Sequence, residues 1–237
     1  MLNTNQLAEL HIELWNGLNE MFNSKDKIFP CLYAISSFNK KTMYFGISNQ
    51  TESIKNLAND LKEMSLLLDE ERDEKSKTFN TYVHIIQNHS VEDVREFLIN
   101  LLQALHKVDE KDWLENATKD MNSPDFEFCF NGKLWFPVLL TPNHPSTIRR
   151  SPFTLIAFQP SVTFDYNKQT KSEFYQRMRT SIHCRVDDFY NEGRPYYLSN
   201  KSSGKNIVQF IGFDKSEFGE NYNYPLVSKS SCNFSQS

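Results

Sequence analysis

Apolar positions recur at helical spacing between Asn5 and Phe22, at Leu7, Leu10, Ile12, Leu14, Trp15, Leu18, Met21 and Phe22, which predicts a helix there. Pro30 stops that region, since proline lacks a backbone donor and crowds the turn before it. Cys31 to Phe38 and Thr42 to Ile47 are rich in Tyr, Phe, Ile and Ser. The Asn39-Lys40-Lys41 break between them predicts a hairpin. Ser48 or Asn49 can cap a helix through about Leu68, with Ile54, Leu57, Leu61, Met64 and Leu68 on one face. Asp69 to Lys77 is a charge run, read as a solvated helix end or loop. Thr78 to Gln87 reads as a strand, and Ser90-Val91-Glu92-Asp93 as the capping box of a helix reaching about His106. Phe126 to Phe130, Asn131-Gly132 and Lys133 to Leu140 form the clearest hairpin signal, because Asn-Gly accepts the positive φ of a tight turn. Phe153 to Phe158 predicts a strand, Lys171 to Tyr190 a helix and Ile207 to Phe213 a last strand.

Hairpins and helices in mixed order give the expected fold class: α+β, an antiparallel or mixed β-sheet packed with helices. No repeat or linker divides the chain, so one domain is expected over residues 1–227. The serine-rich residues 228–237 read as a disordered tail.

Composition narrows the function classes. The 237 residues carry 26 Lys plus Arg against 30 Asp plus Glu, a net charge of −4. That balance offers no basic patch for nucleic acid. The longest apolar run, Leu134 to Leu140, contains Pro137 and is far below the roughly 20 residues that span a bilayer, so no membrane partner is expected. The start of the chain lacks the charged and apolar regions of a secretory signal. Cys31, Cys129, Cys184 and Cys232 are widely spaced, with no CxxC. They indicate neither a disulfide framework nor a zinc knuckle, and a reduced cytoplasmic location is the simplest expectation. The seven glycines never fall as GxGxxG or GxxxxGK, which removes the standard backbone cradles for nucleotide phosphates. No GxSxG elbow occurs. Aromatic residues make up 14% of the chain, enough to line a flat apolar pocket or to fill a core.

Four segments carry candidate chemistry. Phe29-Pro30-Cys31 holds a thiol just after a proline, where a thiolate can bind a metal or haem iron; a buried structural cysteine is the alternative. Thr141 to Pro152 is a proline-stiffened loop with His144, Arg149 and Arg150. His144 can ligate iron or act as a distal acid or base, and the arginines can pair with carboxylates such as haem propionates; a solvated turn is the alternative. The Gln159 amide, before Pro160, can orient a polar substrate or satisfy loop backbone groups. In the late helix, Arg185 lies off the apolar stripe and can meet an anion, unless it simply faces solvent.

Taken in order, Phe29-Pro30-Cys31, Leu134-Trp135-Phe136, Thr141-Pro142-Asn143-His144-Pro145 with Arg149-Arg150-Ser151, Phe158-Gln159-Pro160, and Ile182-His183-Cys184-Arg185-Val186 with Tyr190 resemble the YqcI/YcgG family over roughly residues 20–215. Two positions depart from its pattern: Ser161 stands where an arginine usually follows Gln-Pro, and His183 where an arginine is common. The resemblance implies a haem-dependent N-oxygenase, since some members of the family hydroxylate nitrogen. One of them, in guanitoxin biosynthesis, acts on the guanidine of an arginine derivative. The implied cofactor is haem b. Cys31 is its proximal thiolate with His144 distal, or the roles are reversed. Arg149, Arg150 and Arg185 are cofactor contacts, and His144 and Gln159 are catalytic groups. The implied partners are a small amine or guanidine substrate and an external electron donor such as a separate reductase; a homodimer is an open possibility. Asp165 is the candidate carboxylate for a cationic substrate. A non-catalytic protein, either a haem-binding or gas-sensing module or a small-molecule-binding protein, is the alternative.

Overall fold

The computed structural model describes residues 1–25, 29–49, 52–70, 80–121, 123–163, 172–188, 190, 194–195, 206–212 and 226–227. Asp165 and the serine-rich tail lie outside them. In chain order the elements are β1 (Leu2–Asn3), α1 (Thr4–Leu10), α2 (Ile12–Asn23), α3 (Leu32–Asn39), β2 (Met43–Asn49), α4 (Ser53–Glu70), β3 (Thr81–Gln87), α5 (Val94–Val108), β4 (Phe128–Phe130), β5 (Lys133–Leu140), a 3-10 turn at Thr147–Arg149, β6 (Thr154–Pro160), α6 (Ser172–Asp187), β7 (Arg194–Pro195), α7 (Asn206–Ile211) and β8 (Leu226–Val227).

Six strands form one open mixed sheet in the order β1-β2-β3-β6-β5-β4. Only β2 and β3 run parallel; the other neighbours are antiparallel. A parallel pair needs a long crossover, and α4 supplies it. The expected α+β class holds, with the mixed sheet in a single domain.

Alternation along each strand sends side chains to two different cores. Val83 and Ile85 join Met43, Phe45, Leu140 and Leu155 on one face, covered by Leu7, Leu14, Leu18, Phe22 and Phe38 of α1–α3. Tyr82 and Ile86 point to the other face with Trp135 and Phe158, covered by Leu57, Leu61, Leu98, Leu102 and Phe210 of α4, α5 and α7. Each fully buried large apolar side chain contributes about 1.5–3 kcal/mol, so both faces are needed to hold the sheet.

Three expectations are corrected. Residues 31–38 form a helix rather than a strand of a hairpin: Cys31 is the N-cap of α3, which buries Tyr33, Ser37 and Phe38 on one face. Residues 206–211 are α7 rather than a strand. The helix expected over 5–22 breaks at His11, whose backbone (φ −139°, ψ 61°) leaves helical space between α1 and α2. Leu10 and Ile12 flank that break and are exposed.

Candidate functional site

The loop between β5 and β6 folds back on itself. The Thr141 amide donates to the Arg149 carbonyl, and the amides of His144 and Ser151 both donate to the Thr141 carbonyl. This turns His144 fully inward, at 0% exposure. Its Nδ1 accepts the Ser146 amide at 3.0 Å, so the ring proton sits on Nε2, which donates to the Ile211 carbonyl oxygen at 2.9 Å. Arg149 Nη2 donates to the Gln209 carbonyl oxygen at 2.8 Å. Both carbonyls belong to the end of α7, where backbone acceptors lack helical partners. The stem of Arg149 lies over Gly212. That residue has φ +78°, and an added Cβ would come within 2.7 Å of Arg149 Nε; a side chain is therefore excluded there by conformation and by space. Arg150 is exposed and braces the same loop, with Nε on the His144 carbonyl oxygen at 2.9 Å.

Cys31 occupies the start of α3 beside buried Pro30 and is a free thiol. Burial is the largest influence on it and pushes its pKa up. The Ala34 and Tyr33 amides and the Arg149 guanidinium act the other way and favour the anion, although neither amide reaches the sulfur in full capping geometry. Tyr33 is pushed up to about 12, first by burial and then by the neighbouring Tyr175 and Cys31. From α6, Arg185 Nη1 donates to the Phe29 carbonyl oxygen at 3.0 Å, two residues before the thiol. Cys184, beside Arg185, is disulfide-bonded, a feature the cysteine spacing did not indicate.

Of the residues singled out from sequence, Cys31, Arg149 and Arg185 therefore converge on one corner. His144 is adjacent through the same loop, but both of its ring nitrogens are spent on backbone groups. In this conformation it offers no lone pair to a metal and holds no mobile proton.

Gln159 lies elsewhere. It sits near the far end of β6, five residues or about 17 Å along the strand from Thr154, while the Cys31 corner adjoins the loop before Thr154. Its Oε1 accepts Thr81 Oγ1 at 2.6 Å, and its Nε2 donates to Thr163 Oγ1 at 2.7 Å and to the Asn80 carbonyl oxygen at 3.3 Å. Every polar position of the amide is occupied by the protein. A cavity of about 260 Å³ adjoins this end, between Leu68, Leu134, Pro160 and Val162, below the size range of pockets for drug-sized ligands.

One polar cluster escaped the sequence reading. His84 on β3 is 0% exposed. Its Nε2 lies 2.7 Å from Ser48 Oγ, and its Nδ1 2.7 Å from the Tyr82 hydroxyl. That hydroxyl donates to Asp60 Oδ2 at 2.7 Å. Tyr82 has one proton, which it gives to Asp60, so Nδ1 must carry the proton toward Tyr82 and Nε2 must accept from Ser48. Burial lowers the His84 pKa to about 4, and the ring is neutral. The slot exists because Gly46 faces it: an added Cβ would lie 2.1 Å from Tyr82 Oη and 2.2 Å from Asp60 Oδ2. The signal was the Gly46-x-Ser48 and Tyr82-x-His84 pairs on alternating positions, legible only once Gly46 is known to lie opposite His84.

Among the described residues no three His, Cys, Asp or Glu side chains are grouped to hold a metal ion. A haem iron requires fewer protein donors, and a half-buried free thiol such as Cys31, at the start of α3, is one donor type that can serve. No helix among the described residues is long and apolar enough to cross a membrane.

The family model of YqcI/YcgG matches residues 18–215, and the chain belongs to that family. It is 27% identical over 184 residues to YqcI of Bacillus subtilis, covering 75% of this chain and 72% of that protein. It is 31% identical over 112 residues to YcgG of the same organism, covering 47% of this chain and 44% of that protein. A more distant relative is a protein of Streptomyces lavendulae named putative N(omega)-hydroxy-L-arginine synthase DcsA, 26% identical over 203 residues, covering 79% of this chain and 73% of that protein. No solved structure matches.

Proposed function

We propose that this YqcI/YcgG protein is a haem-dependent N-oxygenase that hydroxylates a nitrogen of a small amine or guanidine compound. The carrying observation is the Cys31 corner: a free, half-buried thiol at the start of α3, whose pKa burial raises while two amides and the Arg149 guanidinium oppose that rise. The similarity to a protein named as a hydroxy-arginine synthase supports the reaction class. Haem b, when bound, supplies oxygen activation and transfer; a thiolate ligand favours O–O cleavage by donating electron density. The balance is one amine, one O₂, two electrons and two protons giving one hydroxylamine and one water, the electrons coming from a separate reductase.

The chain's own residues have distinct tasks in this reading. Cys31 is the iron ligand, and the positive charge of Arg149 offsets the cost of holding its sulfur as an anion away from water. Iron binding would displace the thiol proton. His144 secures the end of α7 and neither ligates nor relays protons. Arg150, exposed and tied only through Nε among the bonds seen, is the guanidinium best placed to pair with a propionate.

The test is expression with a haem precursor, followed by the ferrous–CO spectrum and turnover of amino acid, amine and guanidine panels with dithionite-reduced protein and O₂. The expected result is a thiolate-type spectrum, lost in Cys31→Ala, and a product carrying one added oxygen on nitrogen. A colourless protein with no Soret change on haemin titration would overturn the proposal; a haem protein that oxidises no member of the panel would favour the sensing alternative.

A further inference from the structure

The contact between Arg185 and Phe29 joins residues 156 apart in sequence. It is the bond by which α6 holds the backbone strip carrying Cys31. The Phe29 ring meets Phe22 of α2 edge-on, with centroids 5.0 Å apart and planes at 89°. The strip is therefore held through its ring by α2 and through its carbonyl by α6. Pro30 follows, with φ fixed by its ring, and little freedom remains between the Phe29 carbonyl and the Cys31 sulfur.

We infer that Arg185 is a positioning residue for Cys31, its guanidinium fixing the Phe29-Pro30 peptide so that the sulfur stays against the first amides of α3. The inference deepens the proposed function and rests on it for its purpose, though not for its geometry. The charged and titratable groups around the sulfur are Arg149 from the β5–β6 loop and Tyr33 from α3, with Tyr175 of α6 beyond Tyr33. A lysine at 185 keeps a donor and the charge but loses the rigid fork, so it should restore part of the effect.

The experiment compares the full chain with Arg185→Ala and Arg185→Lys, without haem and with it. Alkylation by iodoacetamide, resolved by peptide mass spectrometry, reads Cys31 against buried Cys129 in the same molecule. Removing the tether should speed Cys31 alkylation about tenfold, as expected when a local segment gains freedom, and leave Cys129 unchanged. Arg185→Lys should fall between. In haem-loaded protein, Arg185→Ala should lose the thiolate-type ferrous–CO spectrum and Arg185→Lys should retain most of it. An unchanged Cys31 rate in Arg185→Ala overturns the inference, as does equal acceleration at Cys31 and Cys129, which marks global loosening. If the parent protein binds no haem, the proposed function fails while the alkylation comparison still decides the role of Arg185.

Discussion

Two histidines in this protein are wholly buried, with both ring nitrogens occupied, and they do opposite jobs. His84 is bonded to side chains, Ser48 and Tyr82, in the middle of the sheet. His144 is bonded to backbone, the Ser146 amide and the Ile211 carbonyl, in the loop joining β5 to β6. The first ties three elements together through a chain of hydroxyls ending at Asp60. The second closes a helix end. The loop histidine carries the stronger sequence signal, sitting among prolines and beside two arginines, yet its ring is as closed as the one inside a strand. The comparison shows that a histidine in a promising motif is judged by what its nitrogens already hold.

The largest effect is expected at His84. His84→Ala removes a buried ring, strands the Ser48 hydroxyl and leaves Tyr82 with Asp60 alone. The cavity and the unsatisfied groups together should cost about 4 kcal/mol, measured by urea unfolding. A loss under about 1 kcal/mol would mean that water or a shifted side chain replaces the ring.

A pH series comes next. His84 is lowered to about 4 in the fold from an ordinary 6.5. Between those values the unfolded chain binds the extra proton, so stability held above 6.5 is lost as pH falls toward 4. The full contribution is about 3 kcal/mol at 1.36 kcal/mol per unit. Asp60 acts in the opposite sense, because burial raises its carboxyl, and it offsets part of the loss at the acid end of the window. The slope over this window should therefore flatten in His84→Gln.

His144→Ala should cost about 2 kcal/mol through the lost Ile211 bond and the stranded Ser146 amide. Its effect belongs to α7: hydrogen exchange of residues 206–212 should quicken while β3 amides stay protected. Equal exposure of both would contradict a role confined to the helix end. The smallest change is expected at Gln159→Ala, about 1–2 kcal/mol, with the optical spectrum of any bound haem unaltered. A shifted spectrum would bring Gln159 back into the site from the far end of β6.

Much of this architecture is legible in the sequence where the signal is local. Asn131-Gly132 makes the turn it announces, with φ of 51° and 70°, and the apolar stripe of α4 buries Leu57, Leu61, Met64 and Leu68. Residues 32–39 and 206–211 were misread because a short apolar run fits a buried strand or a buried helix equally well. The parallel pairing of β2 with β3 spans a helix and leaves no local trace; with it went the register that sets Gly46 against His84. For the site, Cys31, Arg149 and Arg185 could be named from their segments. That Arg149 and Arg185 work through the carbonyls of Gln209 and Phe29 could not, since backbone acceptors have no signature in side-chain sequence. Motif order sets Gln159 beside His144, whereas the fold separates them by the length of a strand.

In the proposed function sulfur, not imidazole, is the donor to iron. This is tested most directly by ferrous–CO spectra of the haem-loaded parent, Cys31→Ala and His144→Ala, taken on protein of equal haem content. A thiolate-type Soret band in the parent and in His144→Ala, absent in Cys31→Ala, is the predicted result. An imidazole-type band in the parent that disappears in His144→Ala and survives in Cys31→Ala would contradict it.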